Sequence, residues 1–139
     1  MKTDIRWKQR FDNFDRAFRL LQSGIEERPL DNYSDLEQEG LIQRFEFSFE
    51  LAWKTIKDFL VASGLQITPV TPETVIKEAY AAEIIDDGQV WIDMMLDRNL
   101  LAHTYDQQQF RKALTSVKEV YLPKLEQLHQ WLMLKYQEP

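Results

Sequence analysis

A chain of 139 residues is long enough to bury a core and short enough to form one domain. It has no cysteine, which excludes disulfides and thiol chemistry, and no apolar run of the roughly 18 residues that a membrane span needs, so a cytoplasmic protein without signal peptide is expected. The formal net charge of −6 comes without a basic run, so a duplex-DNA face is not expected and any nucleic-acid contact must be local, through a few Arg or Lys.

In chain order, Trp7, Phe11, Phe14, Phe18, Leu21 and Ile25 recur at three- and four-residue spacing, which predicts a first helix with one apolar stripe. Gly24 suits the left-handed position that ends a helix, and Pro29 falls in the loop beyond. Ser34-Asp35-Leu36-Glu37 has the form of a capping box and starts a second helix. Leu41, Phe45, Phe49, Ala52, Ile56 and Phe59 carry its core stripe, Gly40 is a weak point, and Gly64 is a natural terminator.

Thr71-Pro72-Glu73 places an N-cap, a first-position proline and an acid in the first turn of a third helix, with Val75, Ile76, Ala79 and Tyr80 facing inward. After the turn Asp86-Asp87-Gly88, a fourth helix is expected from Val90 to about His103. Asp106-Gln107-Gln108-Gln109 has the form of another capping box. The fifth helix carries Phe110, Leu114, Val117, Tyr121, Leu125, Leu128 and Leu132, and Pro123 should kink or split it. No segment alternates as a strand does, so the reading is all-α: residues 1–139 as a single up-and-down bundle of about five helices, the second at its centre.

The chemistry concentrates in the fourth helix. Trp91, Met94, Met95, Leu101 and Ala102 lie on or beside one apolar face, and Arg98 falls on it too. A guanidinium there must be paired, or must point into a cleft or a partner subunit. Asn99 and His103 are neighbours four apart. Arg98 and His103, five apart, point about 140° away from each other on a regular helix, so they converge only if the helix ends or distorts, or if a second copy completes the site. A purely structural alternative stays open: Arg98 ion-paired to Glu46 or Glu50, with His103 as a C-terminal cap.

Arg98-Asn99-Leu100-Leu101-Ala102-His103-Thr104-Tyr105 resembles the R-x(4–6)-H motif of the HEPN superfamily, with the N after R and the H-x-Y extension of its HepT-like branch. Arg44 to Lys54, with its F-E-x-x-x-E-L-x-W-K-like pattern, resembles the same proteins, formerly called nucleotidyltransferase substrate-binding proteins. The resemblance covers nearly the whole chain. It implies a HEPN-like helical homodimer with facing motifs. It also implies a metal-independent ribonuclease toxin without cofactor, paired with a minimal nucleotidyltransferase antitoxin. Arg98, Asn99 and His103 are then the catalytic set, and Tyr105 is the residue that receives AMP. The other function left open is a non-catalytic docking subunit that presents a substrate to a nucleotidyltransferase.

Glu46, Glu50 and Lys54, four apart on the second helix, either contact the catalytic Arg or form a surface ladder, the reading favoured by spacing alone. Phe47 and Leu51 lie off the main stripe, as a dimer face or the edge of a wide core. Arg6, Lys8, Arg10, Arg16 and Arg19 make the first helix the most basic segment, read as a solvated face before an RNA guide. His129 has no acidic or His neighbour in sequence and is expected to be structural. Trp53 and Trp131 are expected in the core or an interface, and with only two His no metal site is expected.

Overall fold

The apolar repeats become helices in the computed structural model, which describes residues 2–139. The elements are α1 (Lys2–Glu27), α2 (Asp35–Ala62), α3 (Pro72–Ala81), α4 (Gly88–Leu101), α5 (Gln107–Ser116) and α6 (Leu122–Tyr136). Segments α5 and α6 form one rod, joined by a wide π-type turn at Val117–Tyr121. The fold is therefore all-α, built from five rods, with α2 packed against every other rod. Among the described residues there is no strand, and no helix is long and apolar enough to cross a membrane.

All six stripe residues of α1 are buried. Gly24 does not end that helix, contrary to the sequence expectation: α1 continues to Glu27, and Gly24 has no positive φ. Its missing side chain serves packing. A Cβ there would stand 2.6 Å from Leu41 Cδ2 and 2.8 Å from Arg44 Nη1, so glycine lets α2 approach the α1 backbone. The Tyr33 hydroxyl donates to the Gly24 carbonyl from the connecting loop.

The start of α2 is the expected capping box: Glu37 N donates to Ser34 Oγ at 3.1 Å and Ser34 N to Glu37 Oε1 at 2.9 Å. Phe45, Phe49, Ala52 and Ile56 are fully buried, whereas Phe59 is half-buried. The helix runs through Gly40 without a break and stops before Gly64, whose φ is +97°. Thr71 caps α3 as expected, but Tyr80 is exposed rather than in the core; its ring packs over the Gly88 backbone.

Helix α4 begins at Gly88, capped by Asp87, and ends at Leu101, earlier at both ends than the apolar pattern indicates. Asp106 caps α5 through Gln108 N at 2.9 Å, but the reciprocal half of the expected box is absent. The Asp106 N–H already donates to Thr104 Oγ1 at 3.2 Å, which leaves Gln109 nothing to satisfy. Pro123 splits the last rod as expected. It lacks an N–H and crowds the carbonyl four residues back, and the wide turn absorbs both defects.

Candidate functional site

Helix α4 lies against the middle of α2, and this contact places Arg98 beside the acids of the second helix. Arg98 Nη2 is 3.6 Å from Glu50 Oε2, and both side chains are about one-third exposed. That separation is an ion pair rather than a hydrogen bond. The Arg98 Nε is buried and has no hydrogen-bond partner. The guanidinium is thus held loosely by one carboxylate, with donor capacity to spare.

Glu50 is itself held firmly. Trp53 Nε1 donates to its Oε2 at 3.1 Å, and Lys54 Nζ sits 3.1 Å from its Oε1. Burial works to raise the Glu50 pKa, but the Trp53 and Lys54 hydrogen bonds and the charges of Lys54 and Arg98 outweigh it and keep the carboxyl ionised. The Glu50–Lys54 ladder therefore exists, and Arg98 joins it. Glu46, one turn earlier, differs: burial pushes its carboxyl above the usual range, and Arg98 offsets only part of that.

The other motif residues stand in the open. Asn99 is exposed on the adjacent face of α4. The helix is closed by backbone bonds from Ala102 N to Arg98 O at 3.2 Å and from His103 N to Leu100 O at 3.1 Å. His103 is exposed in the turn that follows, and its ring makes no cap bond among the described residues. Since α4 ends two residues before His103, the 140° separation of a regular helix does not apply there. Tyr105 is 94% exposed.

Sequence reasoning missed three features. Trp53 serves as a holder of Glu50, beyond a packing role. The Tyr121 hydroxyl donates to Asp97, the residue before Arg98, and its ring stacks on Phe45 at 5.8 Å, which ties the end of α4 to the last rod. The third is a cleft of about 460 Å³ between the N-terminal half of α2 and the motif turn. It forms where the end of α4, the motif turn and α5 pack on α2, and no local pattern announces it. Two of the basic residues of α1 are ion-paired: Arg10 with the buried Asp58 of α2 at 3.1 Å and Arg19 with Asp15 at 2.8 Å. Among the described residues, no three His, Asp or Glu are grouped to hold a metal ion.

His129 is structural, but not isolated. Its Nε2 lies 2.6 Å from Asp15 Oδ1 on α1, and its ring stacks on Phe18 at 4.9 Å. The α1–α6 packing supplies its acidic partner from the other end of the chain.

A family model described as nucleotidyltransferase substrate binding protein like matches residues 9–133. The chain is 26% identical over 144 residues to a Haemophilus influenzae protein named Probable ribonuclease HepT, covering 94% of this chain and 97% of that relative. A solved protein of Thermus thermophilus superposes with a TM-score of 0.71 at 25% identity, over 90% of this chain and 99% of its own. A second solved structure, from Haemophilus influenzae and described as the fold of a substrate binding domain of a nucleotidyltransferase, also gives 0.71 at 23% identity, over 88% and 98%.

Proposed function

Because the chain belongs to the nucleotidyltransferase substrate binding protein like family, we propose that it is a HepT-like, metal-independent endoribonuclease of the HEPN type, acting in the cytoplasm as the toxin of a toxin–antitoxin pair. The observation that carries the proposal is the Arg98 guanidinium, about one-third exposed and held only by a 3.6 Å ion pair to Glu50. A phosphodiester supplies the acceptors it lacks.

RNA brings its own nucleophile. His103 accepts the proton of the 2′-hydroxyl as the O2′–P bond forms, and a second His103, from another copy of the chain, gives a proton to the 5′-oxygen as the P–O5′ bond breaks. The products are a 2′,3′-cyclic phosphate and a 5′-hydroxyl. Arg98 stabilises the added charge on phosphorus, and Asn99 orients the imidazole or the phosphate. Two copies facing each other explain the need for two proton carriers. The exposed apolar side chains Phe47 on α2 and Leu96 and Leu100 on α4, within a few residues of the Arg98–Glu50 pair, support this homodimer. Full exposure suits Tyr105 to modification by a partner nucleotidyltransferase: its hydroxyl attacks the α-phosphorus of ATP and pyrophosphate leaves. The attached AMP sets bulk and negative charge against an incoming RNA phosphate.

The test uses full-length protein whose mass shows no AMP, incubated with RNA in the presence of a chelator. Cleavage by the wild type, lost in Arg98→Ala and in Leu100→Glu as the latter becomes monomeric, is the expected result. Intact RNA with wild type overturns the nuclease reading. The family description also favours a second reading, a non-catalytic subunit that docks on a nucleotidyltransferase and presents its substrate. On that reading Arg98→Ala weakens partner or nucleotide binding, and no variant cleaves RNA.

A further inference from the structure

The cleft beside the motif has the size of a ligand site, about 460 Å³ against a range of roughly 300–1,000 Å³ for small-molecule pockets. Ile42, Leu101 and Phe110 give it an apolar side, Glu39, Gln43 and Glu46 a polar one, and Tyr105 stands at its rim. Two lining residues have no structural explanation. Gly40 sits inside α2 with no positive φ, and a Cβ there would meet nothing within 4 Å. Alanine at that place would favour the helix by about 1 kcal/mol, so packing gives no reason for glycine. Glu46 is half-buried with no hydrogen bond or ion pair within bonding distance among the described residues, and partial desolvation raises its pKa. The other acid of the cleft is accounted for: Gln107 Nε2 donates to Glu39 Oε1 at 2.9 Å.

A cleft with an apolar side, an open glycine, an aromatic rim and one unpaired carboxylate is complementary to a flat heteroaromatic ring that carries two adjacent N–H donors. A carboxylate accepts two parallel hydrogen bonds, one on each oxygen. Guanine offers N1–H and N2–H side by side on one edge. Adenine and cytosine place a single amine beside a ring acceptor, and uracil sets one N–H between two carbonyls. Unpaired bases are recognised through such edges and by stacking on aromatic side chains. We propose that this cleft is a guanine-selective nucleobase subsite, in which Glu46 reads the N1–H/N2–H edge, Tyr105 stacks on the ring and Gly40 leaves room for it.

The subsite adjoins the proposed catalytic groups. Ala102 and Thr104 line it on either side of His103, and Arg98 lies within electrostatic reach of Glu46. The inference rests on the nuclease reading for the polymer that carries the base, but not for the binding itself. Cleavage next to guanosine follows from both together.

Calorimetric titration of the full-length protein with GMP, AMP, CMP and UMP tests it. GMP is expected to bind about tenfold more tightly than the other three, the discrimination that one bidentate pair supplies. Glu46→Gln, which keeps size and helix propensity, is expected to erase that preference with an unchanged circular dichroism spectrum. Glu39→Gln should retain it, and Gly40→Leu should weaken all four nucleotides. Equal affinities for the four nucleotides, absence of binding, or a GMP preference that survives in Glu46→Gln overturns the proposal. So does tighter binding of N-acetyl-arginine amide than of GMP, which would make the cleft a socket for a protein side chain. A GMP preference in a protein that cleaves no RNA keeps the subsite and sinks the nuclease. Cleavage that depends on Arg98 and His103 without any GMP preference does the reverse.

Discussion

The two histidines of this chain occupy opposite kinds of surroundings. His129 is 8% exposed, bonded to Asp15 on α1 and stacked on Phe18. His103 stands in an exposed turn just past the end of α4, with no side-chain partner among the described residues. A ring that must hold two helices together is surrounded and bonded. A ring that must exchange protons with a substrate needs access and an uncommitted nitrogen. The same division separates the acids: Asp15 and Glu50 are saturated with donors, whereas Glu46 has none within bonding distance.

The sharpest way to break this contrast is to remove each ring in turn. His103→Ala should lower RNA cleavage by about a hundredfold to ten-thousandfold, the usual contribution of a general acid–base group, with an unchanged urea midpoint. A His103→Ala protein that cleaves normally would place the chemistry elsewhere. His129→Ala should behave in the opposite sense. Losing the stack on Phe18 and leaving Asp15 with Arg19 alone should cost about 2 kcal/mol in urea unfolding, while cleavage by the folded fraction stays at the wild-type level. Equal effects of the two substitutions on stability would erase the distinction between them.

The contrast also explains what the sequence could reveal. Helices are local objects, and their stripes, the Ser34 capping box, the Thr71 cap and the break at Pro123 are all written within a few residues of where they act. The motif is equally local: Arg98, Asn99, His103 and Tyr105 share one helix end. What failed was tertiary. Gly24 reads as a helix terminator because glycine often is one, whereas its use here depends on Leu41 and Arg44 arriving from α2. His129 looks isolated because Asp15 lies on the first helix and the ring on the last. The Trp53–Glu50 bond is local to α2, but the Arg98–Glu50 pair and the cleft over Gly40 arise only when later segments settle on α2. The Gln109 half of a capping box failed for a subtler reason, since Thr104 had already taken the donor.

The smallest expected effect concerns acid, and it bears on how His129 and Asp15 hold each other. Burial works to raise the Asp15 carboxyl, but hydrogen bonds from His129 and Arg19 prevail and set it below its ordinary value of 3.8. A carboxylate with a depressed folded-state pKa binds fewer protons in the native state than in the unfolded chain. Its contribution to stability is therefore complete above the ordinary value and is lost as pH falls through the folded-state value. Asp15 is partly open to solvent, so the contribution is modest. His129→Gln removes the imidazole that bonds to Asp15 and brings the Asp15 pKa back toward 3.8. Urea midpoints measured across the acid range should thus fall less steeply below about pH 4 in His129→Gln than in the wild type, on top of a lower plateau near neutrality. His103→Gln, measured in the same way, should reproduce the wild-type slope. Identical acid slopes in all three proteins would mean that Asp15 draws its stabilisation from Arg19 alone, and that His129 is held by its stack on Phe18.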